Sequence, residues 1–370
     1  MGKCRICGEK SPLISGKLGV CLDCIRRKPE KALEVTAKVH ADARKTFGLP
    51  PSPPRTRGGV RCEVCANCCV IGEDETGYCG LVANENGRLV RYAGFPDKGL
   101  LEYYYDSLPT NCVAWWFCAG CTGRGYPRYA YLPKAEIGYE NLAVFYGACS
   151  YDCLFCQNWH FRSLTQKRQP TMSAEELAAK AHEKVSCICY FGGDPSPQII
   201  HALKTSQIAL QKAQEEKRIL RICWETNGYM NPKLALKAAE LSLYSGGIVK
   251  FDLKTWSNSL NVALCGVSNK PTLENFRRIG EKYYKARLEP PLLTASTLLV
   301  PGYVDAEEVE NIARFIAEID PTIPYTLLAF YPQYVMNDLP TTSRKTAEEC
   351  YRRARKHLEN VRIGNVHLLS

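Results

Sequence analysis

The sequence predicts an α/β fold: an open sheet of six parallel strand–helix units behind N-terminal cysteine-rich metal-binding segments. Two observations carry this. From Asn141 onward, short β-rich runs alternate with helical stretches, the pattern of a parallel sheet flanked by helices. Ahead of that alternation, 12 of the 20 cysteines in this chain of 370 residues fall into spaced groups. A complete eight-unit barrel takes about 250 residues, more than residues 141–370 comfortably offer. The expected divisions are a zinc-ribbon-like segment with a helix at 1–47, a proline-rich linker at 48–58, a cysteine-rich region at 59–135, and a partial barrel at 136–370.

The first segment carries Cys4-x2-Cys7 and Cys21-x2-Cys24, two paired knuckles about a dozen residues apart. That spacing predicts zinc, with a rubredoxin-like iron site as the alternative. A segment this short buries no core of its own, so metal binding would supply its folding energy. Pro29 to Phe47 reads as an amphipathic helix with Ala32, Val35, Val39 and Ala43 on its apolar face. Gly48-Leu-Pro-Pro-Ser-Pro-Pro is a stiff linker. The second group, Cys62, Cys65, Cys69 and Cys79, has four donors for zinc or an iron–sulfur cluster. The third, Cys112, Cys118 and Cys121, lies among Trp115, Trp116 and Phe117. It reads either as an auxiliary cluster site completed by Cys68, or as buried thiols packing as small hydrophobes.

In the barrel region the expected strands are 143–146, 186–191, 220–225, 247–254, 293–300 and 325–331. Helices are expected near 173–184, 196–216, 232–243, 271–287, 305–319 and 343–358. Sites in such folds sit at the C-terminal ends of the strands. Four groups of residues occur there. Cys149-x3-Cys153-x2-Cys156 follows the first strand; Gly192-Gly193-Asp194 follows the second; Glu225-Thr226-Asn227-Gly228 ends the third; Asp252-Leu253-Lys254 ends the fourth. Three thiolates on one short loop suit three irons of a cubane and leave the fourth iron without a protein ligand, whereas clusters normally take four cysteines. Zinc sites favour paired knuckles and four ligands.

The cysteine triplet, with Phe155 before its third member, resembles the signature of the radical S-adenosylmethionine (SAM) superfamily. The leader Arg61 to Tyr92, with Gly77-Tyr78-Cys79-Gly80, resembles that of proteins similar to pyruvate formate-lyase activating enzyme, in particular the AmmeMemoRadiSam branch. Val300-Pro301-Gly302 and the closing run from Val361 extend the likeness to about residues 58–370. The resemblance implies a partial (β/α)6 barrel and a 4Fe–4S cluster on Cys149, Cys153 and Cys156. It implies that SAM chelates the open iron and is cleaved reductively to a 5′-deoxyadenosyl radical, which abstracts hydrogen from a substrate. Gly192, Gly193 and Asp194 would meet the methionine amino group. Glu225, Thr226, Asn227, Asp252 and Lys254 would meet the ribose and carboxylate, with Glu225, Thr226 and Asp252 helping to hold a monovalent cation. A reductant such as ferredoxin or flavodoxin is implied. Around Phe330-Tyr331-Pro332, Thr326 and Tyr331 stand where the branch carries histidines, so a different substrate is expected.

The net charge of +10 is concentrated early, with 13 Lys/Arg against 5 Asp/Glu in residues 1–58. This suits offset of thiolate charge, or an acidic partner or nucleic acid. No apolar run approaches the ~20 residues of a membrane span, and charges and cysteines break any signal-peptide core. Clustered thiols then point to a reducing, cytoplasmic setting. Three functions follow in order: an activase-like oxidoreductase that leaves a glycyl radical on a protein substrate; modification of a peptide, nucleotide or small metabolite with auxiliary clusters; and a zinc-ribbon nucleic-acid-binding protein on a degenerate barrel.

Overall fold

A computed structural model describes residues 1–370. Its main sheet has nine strands: β1 (Gly99–Ser107), β2 (Glu140–Tyr146), β3 (Thr171–Met172), β4 (Val185–Gly192), β5 (Arg221–Thr226), β6 (Val249–Asp252), β7 (Leu293–Leu299), β8 (Tyr325–Ala329) and β9 (Val361–Gly364). Their spatial order is β9-β8-β7-β6-β5-β4-β2-β1-β3. From β2 to β9, apart from β3, neighbouring strands are parallel, as the strand–helix alternation requires. Helices Ala174–Ala179, Ile199–Glu215, Pro232–Ser245, Lys270–Tyr283, Ala306–Ile319 and Arg344–Ala354 fill the six expected intervals. Local chemistry sets their starts. Ser173 and Glu176 form a capping box, Asn231 caps a helix with Pro232 in its first turn, and Asp305 accepts from Glu308 N at 3.0 Å. All seven residues of β7 are buried, as befits a strand covered on both faces.

Several elements escaped the sequence reading, among them strand β3, the helix Phe161–Lys167 and the two that follow. Strand β1 adds an antiparallel edge, with Leu101 opposite Tyr146. A helix at Asn258–Cys265 follows β6. No helix is long and apolar enough to cross a membrane.

The N-terminal segment packs onto the barrel. Tyr303 donates to Val20 O at 2.8 Å, Arg26 forks onto Asp305 at 2.8 and 3.0 Å, and Ser15 and Gly16 bond Asp338. One apolar core runs from Leu18, Val20 and Ile25 through the sheet to Leu358. The helix is Pro29–Lys45, but its buried stripe is Ala32, Thr36, His40 and Arg44 rather than the expected Ala32, Val35, Val39 and Ala43. His40 and Arg44 take inward positions because the buried Asp152 carboxylate on the cysteine loop receives them, while the Thr36 hydroxyl bonds Leu33 O in its own helix.

Candidate active site

The strand ends converge on one cavity of about 250 Å³. Cys149, Cys153, Phe155, Cys156, Gly192, Gly193, Asp194, Glu225, Thr226, Asn227, Asp252 and Lys254, expected at the site from four separate chain segments, all line it. Topology explains the convergence: parallel strands end their C-termini on the same side, so the loops after β2, β4, β5 and β6 meet there.

The cysteine loop leaves β2 through Ala148, held at φ +77°, a left-handed conformation uncommon for a residue with a Cβ. The β4 turn is stitched to it. Gly193 N donates to Tyr146 O at 2.9 Å and Asp194 N to Ala148 O at 3.0 Å. A Cβ on Gly193 would stand 2.1 Å from Ala148 O. The glycine pair therefore first serves close packing of two backbones, where the sequence reading had it serve approach to a ligand.

Asp194 accepts from Ser196 N at 2.7 Å, Asn227 N at 2.6 Å and the Thr226 hydroxyl at 3.1 Å. Burial nonetheless pushes its carboxyl above the usual carboxylate range, because no cation faces it. Asn227 Nδ2 reaches Cys149 Sγ at 3.5 Å, and Ser150 Oγ donates to Asn227 Oδ1 at 3.2 Å. Glu225 pairs with Lys250 at 2.9 Å, and Asp252 pairs with Lys254. Each carboxylate expected to help hold a monovalent cation thus already faces a lysine ammonium. Sequence reasoning missed Lys250, whose signal was only a cation inside an apolar strand.

Cys153 Sγ lies 3.5 Å from Cys265 Sγ, a second missed residue. The contact with Cys265, aided by the Lys254 ammonium, draws the Cys153 thiol below its ordinary value. Burial raises Cys149 and Cys156. The loop is pinned to the Asn258–Cys265 helix through Asp152 N to Cys265 O at 2.8 Å and Leu154 N to Leu264 O at 2.9 Å. Burial opposes ionisation of Asp152, but His40 at 2.8 Å, Arg162 at 2.7 Å and Arg44 at 3.7 Å hold its carboxyl well below the usual range. Arg162 also lines the cavity, and its Nε and Nη1 have no partner. A guanidinium with idle donors beside three thiols suits an anionic metal–sulfur group.

The cysteine groups differ in geometry. The donor atoms of Cys4, Cys7, Cys21 and Cys24 all lie within 4.8 Å of one another, and Cys7 and Cys21 are 3.8 Å apart. Tetrahedral zinc, with Zn–S about 2.3 Å, places its sulfurs about 3.8 Å apart. Cys62, Cys65 and Cys69 are buried and Cys79 half-buried. Arg91 donates to Cys62 Sγ at 3.3 Å, and burial raises Cys79 to about 12.

The third group corrects an expectation. Cys68 does not complete it; its Sγ lies 3.6 Å from Cys65 O, in the second group's own loop. Cys112 and Cys118 instead share a cavity with Cys187, Cys189 and Cys223 from β4 and β5, while Cys121 Sγ contacts Thr110 O at 3.8 Å. Within strand runs those three cysteines read as ordinary sheet residues. Thr326 bonds Trp116 Nε1 at 3.3 Å and Val113 O at 3.2 Å; Tyr331 is 48% exposed and outside the cavity wall.

The radical SAM superfamily model matches residues 143–316. Across 316 residues, 83% of this chain and 81% of the relative, the sequence is 26% identical to the uncharacterised protein MJ0808 of Methanocaldococcus jannaschii. Across 191 residues, 49% of this chain and 64% of the relative, it is 26% identical to MJ1632 of the same organism, provisionally named a glycyl-radical enzyme activating enzyme. Among solved structures, a domain of pyruvate-formate lyase-activating enzyme from Bacteroides vulgatus is similar at TM-score 0.37 and 19% identity, over 48% of this chain and 98% of that one. Streptococcus suis SuiB bound to precursor peptide SuiA is similar at TM-score 0.45 and 16% identity, over 60% and 47%. The matched residues 143–316, just under half of the chain, contain the three cysteines and the strand ends that build the cavity.

Proposed function

We propose that this protein is a radical SAM enzyme whose Cys149, Cys153 and Cys156 hold a 4Fe–4S cluster with one iron open to SAM. The observation that carries the reading is the meeting of those three thiols with Gly192–Asp194, Glu225–Asn227 and Asp252–Lys254 around one cavity. Cluster and SAM, when bound, supply reductive cleavage to a 5′-deoxyadenosyl radical and hydrogen abstraction from carbon. The protein's own part is placement. Asp194, buried without a counter-cation, offers its charge to the methionine ammonium. Thr226 and Asn227, fixed by that carboxylate, present the β5 end to the ribose. Lys254, braced by Asp252, offers an ammonium to the SAM carboxylate. Arg162 and Lys254 offset cluster charge, and Phe155, Phe161 and Leu298 keep water from the wall. The electron comes from a small reductant protein such as ferredoxin or flavodoxin.

For the substrate, the name of MJ1632 supports activation of a glycyl-radical protein. The second reading, modification of a peptide, nucleotide or small metabolite, is favoured by the further thiol groups beside the barrel. The full-length chain, reconstituted anaerobically and given SAM and dithionite, should release 5′-deoxyadenosine and methionine in equal amounts. Fully loaded protein that releases neither ends the proposal. A glycyl-radical signal on a co-incubated partner enzyme separates the two substrates.

A further inference from the structure

A cavity of about 30 Å³ lies against β4 and β5, in the middle of the sheet and separate from the proposed SAM site. Five thiols line it: Cys112 and Cys118 from the segment between β1 and β2, Cys187 and Cys189 from β4, and Cys223 from β5. Strand geometry accounts for three of them. Cys187 and Cys189 are two residues apart and so face the same side, and Cys223 is the register partner of Cys189. The loop then brings Cys112 and Cys118 over that face. It is fastened by Trp116 Nε1 to Thr326 and by Glu136 N to Gly120 O at 2.9 Å.

A single buried cysteine packs as a small hydrophobe. That does not account for five from three chain segments around space that no side chain fills. Nor does it account for Lys250, whose Nζ sits 3.2 Å from Cys189 Sγ and which lines both this cavity and the proposed SAM site. Burial raises the Cys189 thiol in spite of that ammonium; once a metal is bound, the lysine would offset the charge of the thiolates that zinc and iron–sulfur clusters take as donors.

We propose that Cys112, Cys118, Cys187, Cys189 and Cys223 form a further thiolate metal centre inside the barrel, holding an iron–sulfur cluster or a zinc ion. This stands apart from the reading of the SAM site, since none of the five thiols belongs to the Cys149 loop. Lys250 joins the two walls, so a metal here would lie next to the reaction cavity.

The test is metal content of the full-length protein, purified anaerobically from iron- and zinc-supplied cells. In a Cys149→Ser, Cys153→Ser, Cys156→Ser background, Cys187→Ala with Cys223→Ala should remove one cluster's iron and sulfide, or one zinc, per chain. Loss of iron and sulfide identifies a cluster; loss of zinc identifies a zinc ion. Should the strand variant fail to fold, Cys112→Ser with Cys118→Ser removes two donors from the loop without touching the sheet and should cause the same loss. Cys350→Ala, a buried thiol elsewhere, should change nothing. Iron, sulfide and zinc unchanged in the folded variants would overturn the proposal.

Discussion

Asp152, between two cysteines of the proposed cluster loop, is fully buried and reached by the guanidinium groups of Arg44 and Arg162 and by the His40 ring. Replacing it with alanine should destabilise the protein by about 3–5 kcal/mol, the usual cost of removing one partner from a buried ion pair. The bonds to His40 at 2.8 Å and Arg162 at 2.7 Å set this size, since a hydrogen bond to a charged group nets about 1.5–3 kcal/mol. Arg44, at 3.7 Å, adds little. His40 keeps Ala263 O at 3.1 Å and Arg44 keeps the carbonyls of Pro50 and Tyr78. Arg162 keeps no hydrogen-bond acceptor, because its other nitrogens already lack partners. Asp152→Asn should cost nearly as much, since its amide N–H groups would face donors. Urea unfolding, followed by tryptophan fluorescence on metal-free and reconstituted protein, measures the change. The same carboxylate ties the helix Pro29–Lys45 to the cysteine loop, so iron retention at that loop should fall too. A loss below about 1 kcal/mol, the value of an exposed pair, would refute the reasoning.

Other outcomes follow from named contacts. Gly193→Ala should lower the thermal midpoint by the equivalent of about 1–3 kcal/mol and reduce iron loading, because its Cβ meets Ala148 O; an unchanged midpoint and iron content would contradict this. Asp194→Asn should weaken SAM binding by roughly 10–100-fold, the worth of a charged hydrogen bond of about 1.5–3 kcal/mol, read by equilibrium binding to reconstituted protein. Cys24→Ser should remove one metal equivalent and lower the thermal midpoint, since a segment that short would draw its order from a bound metal; elemental analysis with calorimetry checks both. Glu136 is buried, yet its bonds from Arg221 at 2.9 and 2.6 Å hold its carboxyl below the ordinary value. A depressed folded value stabilises above the unfolded pKa of about 4.3 and is lost as pH falls through the folded one. Glu136→Gln should therefore be less stable than the parent at neutral pH, with the gap closing in acid.

Much of the site was legible because its signals are local. Cys149-x3-Cys153-x2-Cys156, Gly192-Gly193-Asp194 and Asp252-Leu253-Lys254 each sit where a predicted strand ends, and parallel strands bring such ends together. What was not legible depends on contacts between distant segments. Lys250 and Glu225 meet across neighbouring strands. Cys265 reaches Cys153 from a helix that was not foreseen. Cys187, Cys189 and Cys223 looked like strand residues, and only the fold shows that they share a wall with Cys112 and Cys118. His40 and Arg44 lie off the stripe of Ala32, Val35, Val39 and Ala43 that periodicity marks; Asp152 makes them interior.

By itself the sequence determined the order of strands and helices, the paired knuckles at Cys4–Cys24 and the residues that crowd one cavity, because side-chain period and cysteine spacing are short-range properties of the chain. The tertiary structure decided which charges face each other, which glycine admits a neighbouring backbone and which thiols share a space. Those relations join residues tens to hundreds of positions apart, and no local pattern encodes them.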